Sequence, residues 1–192
     1  MVPGVVGTDV TDAVGTEDTR LIVVRGNSAS GKSSVAARLR ETFGRNLAIV
    51  GQDNLRRTVL REHDRPGAAN IGLIDLTARY ALENGFHVVL EGILYADRYG
   101  TMLQELVRAH RGVSRCYYLD VPFAETVLRH ATKHDAAYLR QVTEEHLRDW
   151  YRERDLLPGA LETVIDAAAT LDDTVQRILR ESGLDGVLPI DR

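Results

Sequence analysis

The sequence contains one cysteine and no long apolar run, and each shortage excludes a class of protein. With Cys116 alone, no disulfide can form within the chain, and its place in the apolar run RCYYLD predicts a buried strand thiol. No apolar run approaches the roughly 18 residues that a membrane-spanning helix needs. Residues 1–19 contain no basic residue and no long apolar stretch, so no secretory signal is expected there. We therefore expect a cytoplasmic protein without a membrane partner.

An excess of positive charge is also missing, which argues against a nucleic-acid partner. The net charge is −4, so bulk electrostatics would repel a nucleic acid. At 192 residues the chain fits one domain. We place this domain at residues 20–184, between a flexible tail over 1–19 and a short tail over 185–192. A monomer and a homodimer are both compatible with this composition.

The most specific pattern present is G-x-x-x-x-G-K-S at residues 26–33. An apolar, β-branched run at 21–25 predicts a strand before it, and the spacing of residues 34–42 predicts a helix after it. Between a strand and a helix, such a loop turns consecutive backbone N–H groups toward a polyphosphate, and the helix N-terminus adds partial positive charge. We predict that a nucleoside triphosphate binds to Gly26, Asn27, Ser28, Ala29, Ser30, Gly31, Lys32, Ser33 and Ser34.

Two residues of this loop have expected roles in the chemistry. Lys32 should reach the β- and γ-phosphates, and the Ser33 hydroxyl should bind Mg²⁺. ATP is the expected donor. The T-K-x-D pattern at residues 132–135 resembles a guanine-reading motif but follows a predicted helix, whereas that motif requires a strand end. GTP stays an alternative donor.

Strands and helices alternate along the rest of the chain. Further strands are predicted at 47–51, 87–90, 115–119 and 163–166, with helices at 54–62, 71–84, 98–110, 123–131 and 172–182. This alternation predicts an α/β fold with a parallel sheet covered on both faces, and ligands then bind beyond the carboxyl ends of the strands. The long, charged stretch at about 130–157 has no strand and predicts a helical lid.

Acidic residues follow the second and third predicted strands. Asp53 is a candidate general base or a ligand to an Mg²⁺-bound water, and its alternative role is that of a helix N-cap. Glu91 follows four mostly apolar residues, as a Walker B carboxylate does, and is the second candidate metal ligand beside Ser33. Gly92 would let the backbone approach a substrate closely.

The candidate acceptor-binding residues cluster after these two strands. Arg56 and Arg57 lie one turn beyond Asp53, and a helix is expected to direct only one of them at the site. Tyr95 and Arg98 follow the third strand and are expected to line the acceptor pocket. The full candidate set comprises Asp53, Arg56, Arg57, Glu91, Gly92, Tyr95 and Arg98.

These motifs resemble those of the P-loop small-molecule kinases, in particular the group of chloramphenicol phosphotransferase, zeta-toxin-like kinases and AAA-type ATP-binding kinases. The resemblance rests on the phosphate loop, on GQDNL around Asp53, on Glu91-Gly92 and on LDVPFAETVLRHATK. It implies a five-stranded parallel sheet in the order 2-3-1-4-5 and ATP-dependent phosphorylation of a small-molecule hydroxyl. It also makes Asp53 a candidate general base, and Arg129 and Lys133 candidate lid cations that stabilise transition-state charge.

The resemblance leaves the acceptor open among metabolites, nucleosides and antibiotics, including a self-resistance kinase. Glu91 and Lys133 depart from the Asp and Arg that are commoner at these places in the family. Two further hypotheses are a nucleotide-binding switch without acceptor chemistry and a zeta-toxin-like nucleotide-sugar kinase. A switch would bind a nucleotide but show no acceptor-dependent turnover.

Overall fold

A five-stranded parallel sheet in the order β2-β3-β1-β4-β5 forms the centre of the protein, as predicted. The computed structural model describes residues 13–132, 139 and 142–187. Its strands are β1 (Arg20–Gly26), β2 (Leu47–Gly51), β3 (His87–Gly92), β4 (Val113–Asp120) and β5 (Glu162–Asp166). The phosphate loop therefore follows the central strand, and β3 continues through Glu91 and Gly92.

Helices cover both faces of this sheet. They are α1 (Lys32–Phe43), α2 (Ala69–Glu83), α3 (Ala96–Ala109), α4 (Phe123–Ala131), α5 (Glu144–Trp150) and α6 (Leu171–Ser182). Alternate residues of β1 point to opposite faces: Leu21 and Val23 pack with α2 and α3, and Ile22 and Val24 with α1 and α6. Because both faces are covered, every one of these positions is apolar. Within the described residues, no helix is both long and apolar enough to cross a bilayer.

Two predicted helices differ from the structure. The segment predicted as a helix over 54–62 is a π-helix over Asn54–Val59, with a bond from Leu60 N–H to Leu55 O at 3.0 Å. The predicted lid over 130–157 is helical at its start, in the last residues of α4, and again in α5, whereas residues 151–157 are extended or turned. Within the described residues, the predicted helical lid is therefore helical only in part, with a non-helical segment over 151–157.

The packed domain extends beyond the predicted limits of 20 and 184. Val14 is buried and bridges to His110, and the Thr19 hydroxyl lies 2.9 Å from Nε2 of that histidine. At the other end, Val187 packs against the core on the α1 and α6 face. Residues 13–19 therefore belong to the domain and not to a tail. Cys116 is buried in β4, as predicted, and burial raises the pKa of its thiol to about 12.

Arg25, the second-last residue of β1, is completely buried and has partners on three sides. Its guanidinium donates to Leu94 O at 2.8 Å, to both carboxylate oxygens of Glu162 at 2.9 Å, and to Asp155 Oδ2 at 2.9 Å. The same carboxylates accept further backbone bonds, Asp155 from Ala96 N–H and Glu162 from Leu157 N–H. One charge in the central strand thus joins the segment after β3, the segment after α5 and the last strand.

Removing this guanidinium should destabilise the fold strongly. In Arg25→Met, Glu162 keeps a buried charge without its cation, and loss of one partner from a buried pair typically costs about 3–5 kcal/mol. Arg38→Met is the matched control, because Arg38 is 44% exposed and its ion pairs are longer than 3.5 Å. Urea unfolding should show a much lower midpoint for Arg25→Met only. Equal midpoints for the two variants would contradict this assignment.

Candidate active site

The phosphate loop runs from the end of β1 to the start of α1. The two glycines of its motif adopt backbone conformations that residues with side chains avoid. Gly26 has φ of 146°, and a Cβ there would lie 2.7 Å from Leu119 O. Gly31 has φ of 107° and precedes the first residue of α1. Positive φ is accessible to glycine at little cost. The G-x-x-x-x-G spacing is therefore required by the turn between β1 and α1.

Lys32 lies inside the curve of this loop. Its side chain is buried, and Nζ donates to Asn27 O at 2.7 Å and to Ser30 Oγ at 3.3 Å. The ammonium group is thus held by oxygens of the same loop that would surround a polyphosphate. A cation fixed beside the N-terminus of α1 makes this loop a site for an anion.

The two candidate metal ligands meet at the edge of the loop. Ser33 Oγ donates to Glu91 Oε2 at 3.1 Å, so the hydroxyl and the carboxylate predicted from separate motifs are adjacent. Burial raises the pKa of Glu91, while Lys32 and the Ser33 hydrogen bond oppose that shift. Hydroxyl and carboxylate oxygens are the ligands that Mg²⁺ accepts, so this pair fits the ion.

Asp53 is the first residue beyond β2 to face solvent, with 61% of its side chain exposed. Its Oδ1 pairs with Arg56 Nη2 at 2.9 Å and with Arg57 Nε at 3.3 Å. It makes no capping bond to the helix that follows, so the N-cap alternative was wrong. Its negative charge also raises the pKa of Glu91, which places the two carboxylates in one electrostatic environment.

Arg56 and Arg57, which we call the RR pair, both reach the carboxylate of Asp53, against the expectation that only one of them would. In the π-helix, positions three and four residues beyond Asp53 both approach its carboxylate. Arg56 and Arg57 also both line the same cavity, described below. Residues three and four positions along a helix both lie beside the first residue, so both guanidinium groups can reach one carboxylate.

One cavity, of about 640 Å³, lies beside the phosphate loop and extends to the turn after β5 at residues 166–170. Arg129, the predicted lid cation, lines it. Its Nη1 donates to Ser30 O at 3.1 Å, and its Nε donates to Glu125 Oε1 at 3.0 Å. A guanidinium from α4 therefore contacts the phosphate loop directly. Lys133, the second predicted lid cation, lies outside the described residues.

A second cavity, of about 700 Å³, is lined by Arg56 and Arg57, the two partners of Asp53, and we call it the arginine cavity. Its lining also includes Tyr95 and Arg98, the two residues expected to line an acceptor pocket. It also contains basic residues that the motifs did not single out, namely Arg61, Arg65 and Arg152. For Arg61 and Arg65, the sequence feature that could have indicated a role in the site is the density of arginine in the stretch RRTVLREHDR at residues 56–65.

Gly92 does not line either cavity. A Cβ there would lie 2.6 Å from the side chain of Gln52, which donates to Tyr99 Oη at 2.8 Å and accepts from Leu94 N–H at 3.1 Å. The glycine is thus needed for close packing of the ends of β2 and β3. The prediction that it would admit a substrate to the backbone finds no support in this geometry.

Asn27, inside the phosphate loop, contacts the backbone of Arg152, which lines the arginine cavity. Its amide Nδ2 donates to Arg152 O at 2.8 Å, and its Oδ1 accepts from Arg152 N–H at 2.9 Å. The side chain therefore pairs with one peptide unit of the segment after α5 as a neighbouring strand would. This contact fixes the arginine cavity against the phosphate loop.

Several solved structures with this fold are kinases by title. The chain superimposes on a sugar kinase from Janibacter sp. HTCC2649 with a TM-score of 0.65 and 17% identity, over 90% of this chain and 99% of that one. It superimposes on the Mycobacterium tuberculosis APS kinase in complex with AMPPNP and APS with a TM-score of 0.63 and 16% identity, over 91% of this chain and 99% of that one. On a gluconokinase from Sinorhizobium meliloti 1021 it superimposes with a TM-score of 0.57 and 18% identity, over 90% of this chain and 92% of that one. The fold is that of the P-loop small-molecule kinases, as the sequence indicated.

The sequence itself carries the family signal. A family model described as an AAA domain matches residues 21–157, more than half of the chain, and the protein belongs to that family. Comparison with curated proteins gives no match.

Lys32→Ala should weaken nucleotide binding without disturbing the fold. Charge-assisted hydrogen bonds contribute about 1.5–3 kcal/mol, so the dissociation constant for AMPPNP should rise by about 10- to 100-fold. Isothermal titration calorimetry measures this directly. Arg40→Ala, which removes an exposed charge from the last turn of the same helix, should bind as the unaltered protein does. Unchanged affinity in Lys32→Ala would contradict the assignment of the loop.

Proposed function

We propose that the protein is an ATP-dependent phosphotransferase that moves the γ-phosphoryl group to a hydroxyl of a small molecule. One observation carries the proposal: a cavity lined by the phosphate loop and the arginine cavity are each connected by polar contacts to one of two carboxylates, Glu91 and Asp53, whose charges interact. Ser33 of the first cavity donates to Glu91, whose pKa responds to Asp53, and Asp53 pairs with two arginines of the second cavity. A donor on one side and an acceptor on the other would meet at these carboxylates.

The proposed mechanism assigns each group one task. The loop amides and Lys32 hold the triphosphate, and Asp53 accepts the proton of the acceptor hydroxyl. The hydroxyl oxygen then forms a bond to the γ-phosphorus, and the bond from that phosphorus to the β–γ bridging oxygen breaks, so that ADP leaves. Arg129, which already contacts Ser30 O, would stabilise the charge on the transferring group. Mg²⁺ held by Ser33 and Glu91 would neutralise phosphate charge when bound.

The names of structures with the same fold agree with this class of reaction, since they include a sugar kinase, a gluconokinase and an APS kinase. The acceptor itself is to be found by a screen of nucleosides, sugars and antibiotics, with ATP consumption as the first readout. Mass spectrometry then identifies the product by the gain of one phosphate. A self-resistance kinase would phosphorylate an antibiotic of the panel. Nucleotide binding without turnover of any acceptor would instead support a nucleotide switch.

Asp53→Asn should lower kcat by about 10²- to 10⁴-fold, the usual contribution of a general base, with ATP affinity nearly unchanged. Because Asp53 makes no capping bond and its ion pairs are exposed, stability should hardly change. Asp75→Asn, an aspartate paired with Arg79 on α2, is the control. Partial rescue by added Mg²⁺ would assign Asp53 to a metal-bound water. A loss under about threefold would remove it from the mechanism.

Glu91→Gln should raise the Mg²⁺ concentration needed for half-maximal activity, because an amide replaces the carboxylate beside Ser33. The same variant should bind Mg·AMPPNP more weakly, whereas its affinity for AMPPNP with EDTA should stay near that of the unaltered protein. Calorimetry with and without the metal separates the two. Equal losses under both conditions would show that Glu91 acts on the nucleotide or the fold and not on the ion.

A further inference from the structure

We propose that the acceptor carries an oxyanion group, a phosphate, sulfate or carboxylate, and that the arginine cavity binds it. The inference rests on the proposed function and narrows its substrate class. The cavity is lined by six arginines against three carboxylates, in a protein whose net charge is −4. Its volume of about 700 Å³ suits a ligand of sugar or nucleoside size. Local positive charge in an acidic protein indicates an anionic ligand.

Two of the three carboxylates that line the arginine cavity accept hydrogen bonds from neighbouring parts of the fold. Glu62 accepts from the backbone N–H groups of Ala69 and Asn70 at 2.9 and 2.8 Å, and these bonds to the start of α2 lower its pKa. Asp64 accepts from Tyr99 Oη at 2.8 Å and pairs with Arg98 at 3.3 Å. Both carboxylates thus anchor the walls of the cavity, and Asp64 also pairs with one of its arginines.

The arginines themselves differ in their partners. Arg61 and Arg65 have no carboxylate within ion-pair distance among the described residues. Arg152 pairs with Asp97 at 2.9 Å, and the RR pair shares the single carboxylate of Asp53. Arg61 and Arg65 are therefore the cations of the lining that lack a carboxylate partner among the described residues, and a ligand oxyanion would supply one.

Aromatic rings, which do not neutralise a cation, hold three of the guanidinium groups. The ring of Tyr95 lies 4.0 Å from the guanidinium carbon of Arg152 and 4.8 Å from that of Arg98. Tyr95 is itself fixed, because it is buried and its hydroxyl donates to Trp150 O at 2.7 Å. Cation–π contact orders a guanidinium. Nη1 of Arg152 donates to Asp97 and Nη1 of Arg98 to Asp64 O, so the other N–H groups of each guanidinium remain for a ligand. The planar forks are thus positioned for an oxyanion, which arginine binds in bidentate geometry.

The cavity also has a defined direction. Arg57 and Arg56 lie next to Asp53, where the hydroxyl would lose its proton, whereas Arg61 and Arg65 lie farther along the same segment. An acceptor with its hydroxyl at Asp53 would direct its oxyanion group toward the second pair. The anion then determines which hydroxyl faces the phosphate loop.

Trp150 makes the cavity observable, because it is the only tryptophan of the chain and lies against Arg57 at 5.5 Å. The binding experiment first saturates the phosphate loop with Mg·AMPPNP, so that added anions cannot report from there. Inorganic phosphate, sulfate and acetate are then titrated separately while tryptophan fluorescence is followed, with sodium chloride at equal ionic strength as the reference. We expect a saturable change that chloride does not produce.

Arg65→Gln and Arg152→Gln should each raise the apparent dissociation constant of the bound anion by about tenfold or more, as loss of a charge-assisted bond predicts. Arg108→Gln, an exposed arginine on α3, should leave it unchanged. Preference among phosphate, sulfate and acetate identifies the kind of oxyanion. A response no larger than that of chloride, or one that both cavity variants retain in full, would overturn the proposal.

An activity experiment separates this inference from the proposed function. Hydroxyl acceptors are offered in matched pairs, such as a nucleoside with its 5′-monophosphate and glucose with gluconate. The anionic member should have a kcat/KM at least about tenfold higher, and Arg65→Gln should reduce that advantage mainly through KM. Turnover of neutral members alone would refute the oxyanion inference and leave the kinase intact. If no member of any pair is turned over, the proposed kinase function fails.

Discussion

The buried charge of Arg25 is the constraint on which the arrangement of the site depends. A guanidinium in the central strand is costly to remove from water unless all its donors are satisfied. Its partners come from residues far apart in the sequence, Leu94 after β3, Asp155 after α5 and Glu162 in β5. Satisfying one cation therefore fixes three segments around the end of β1. The phosphate loop begins at the next residue, so the cation sets the frame in which that loop lies.

The two carboxylates near the loop show how environment separates residues of similar chemistry. Glu91 ends a central strand, is partly buried and has a raised pKa, and it accepts a hydrogen bond from Ser33. Asp53 lies two residues beyond the edge strand β2, faces solvent and has two guanidinium groups beside it. A buried acid beside the loop is suited to a fixed ligand, whereas an exposed one is suited to proton transfer with an acceptor. Strand position thus accounts for the division of roles that we propose.

The alternation of strands and helices and the phosphate loop could be predicted because both depend on local patterns, whereas the sheet order 2-3-1-4-5 was implied by the resemblance to the P-loop kinases. Apolar runs of strand length alternate with helical spacing, and the glycines of the loop are set by the turn itself. The meeting of Ser33 and Glu91 also followed, since the carboxyl ends of neighbouring parallel strands share one edge. Identity with solved kinases of only 16–18% is enough to keep these features.

The features of the site that could not be predicted depend on contacts between residues far apart in the sequence, and local sequence patterns carry no information about such contacts. The π-helix after Asp53 arises from one extra residue in a turn, a small difference in energy that propensities do not resolve. Arg152 reads as one charge among many on a solvated segment until Tyr95 and Asn27 are placed beside it. Tyr95 likewise belongs to the cavity because of rings and cations from other segments.

The pairing of Asn27 with the peptide of Arg152 has a consequence for the order in which ligands act. Asn27 belongs to the loop for the donor, and Arg152 belongs to the cavity for the acceptor. In the proposed function, a displacement of the loop on triphosphate binding would move Arg152 with it, and the two binding equilibria would then share a free-energy term. Thermodynamic reciprocity would require each ligand to change the affinity for the other by the same factor. Donor and acceptor affinities would in that case be linked through the side-chain amide of Asn27.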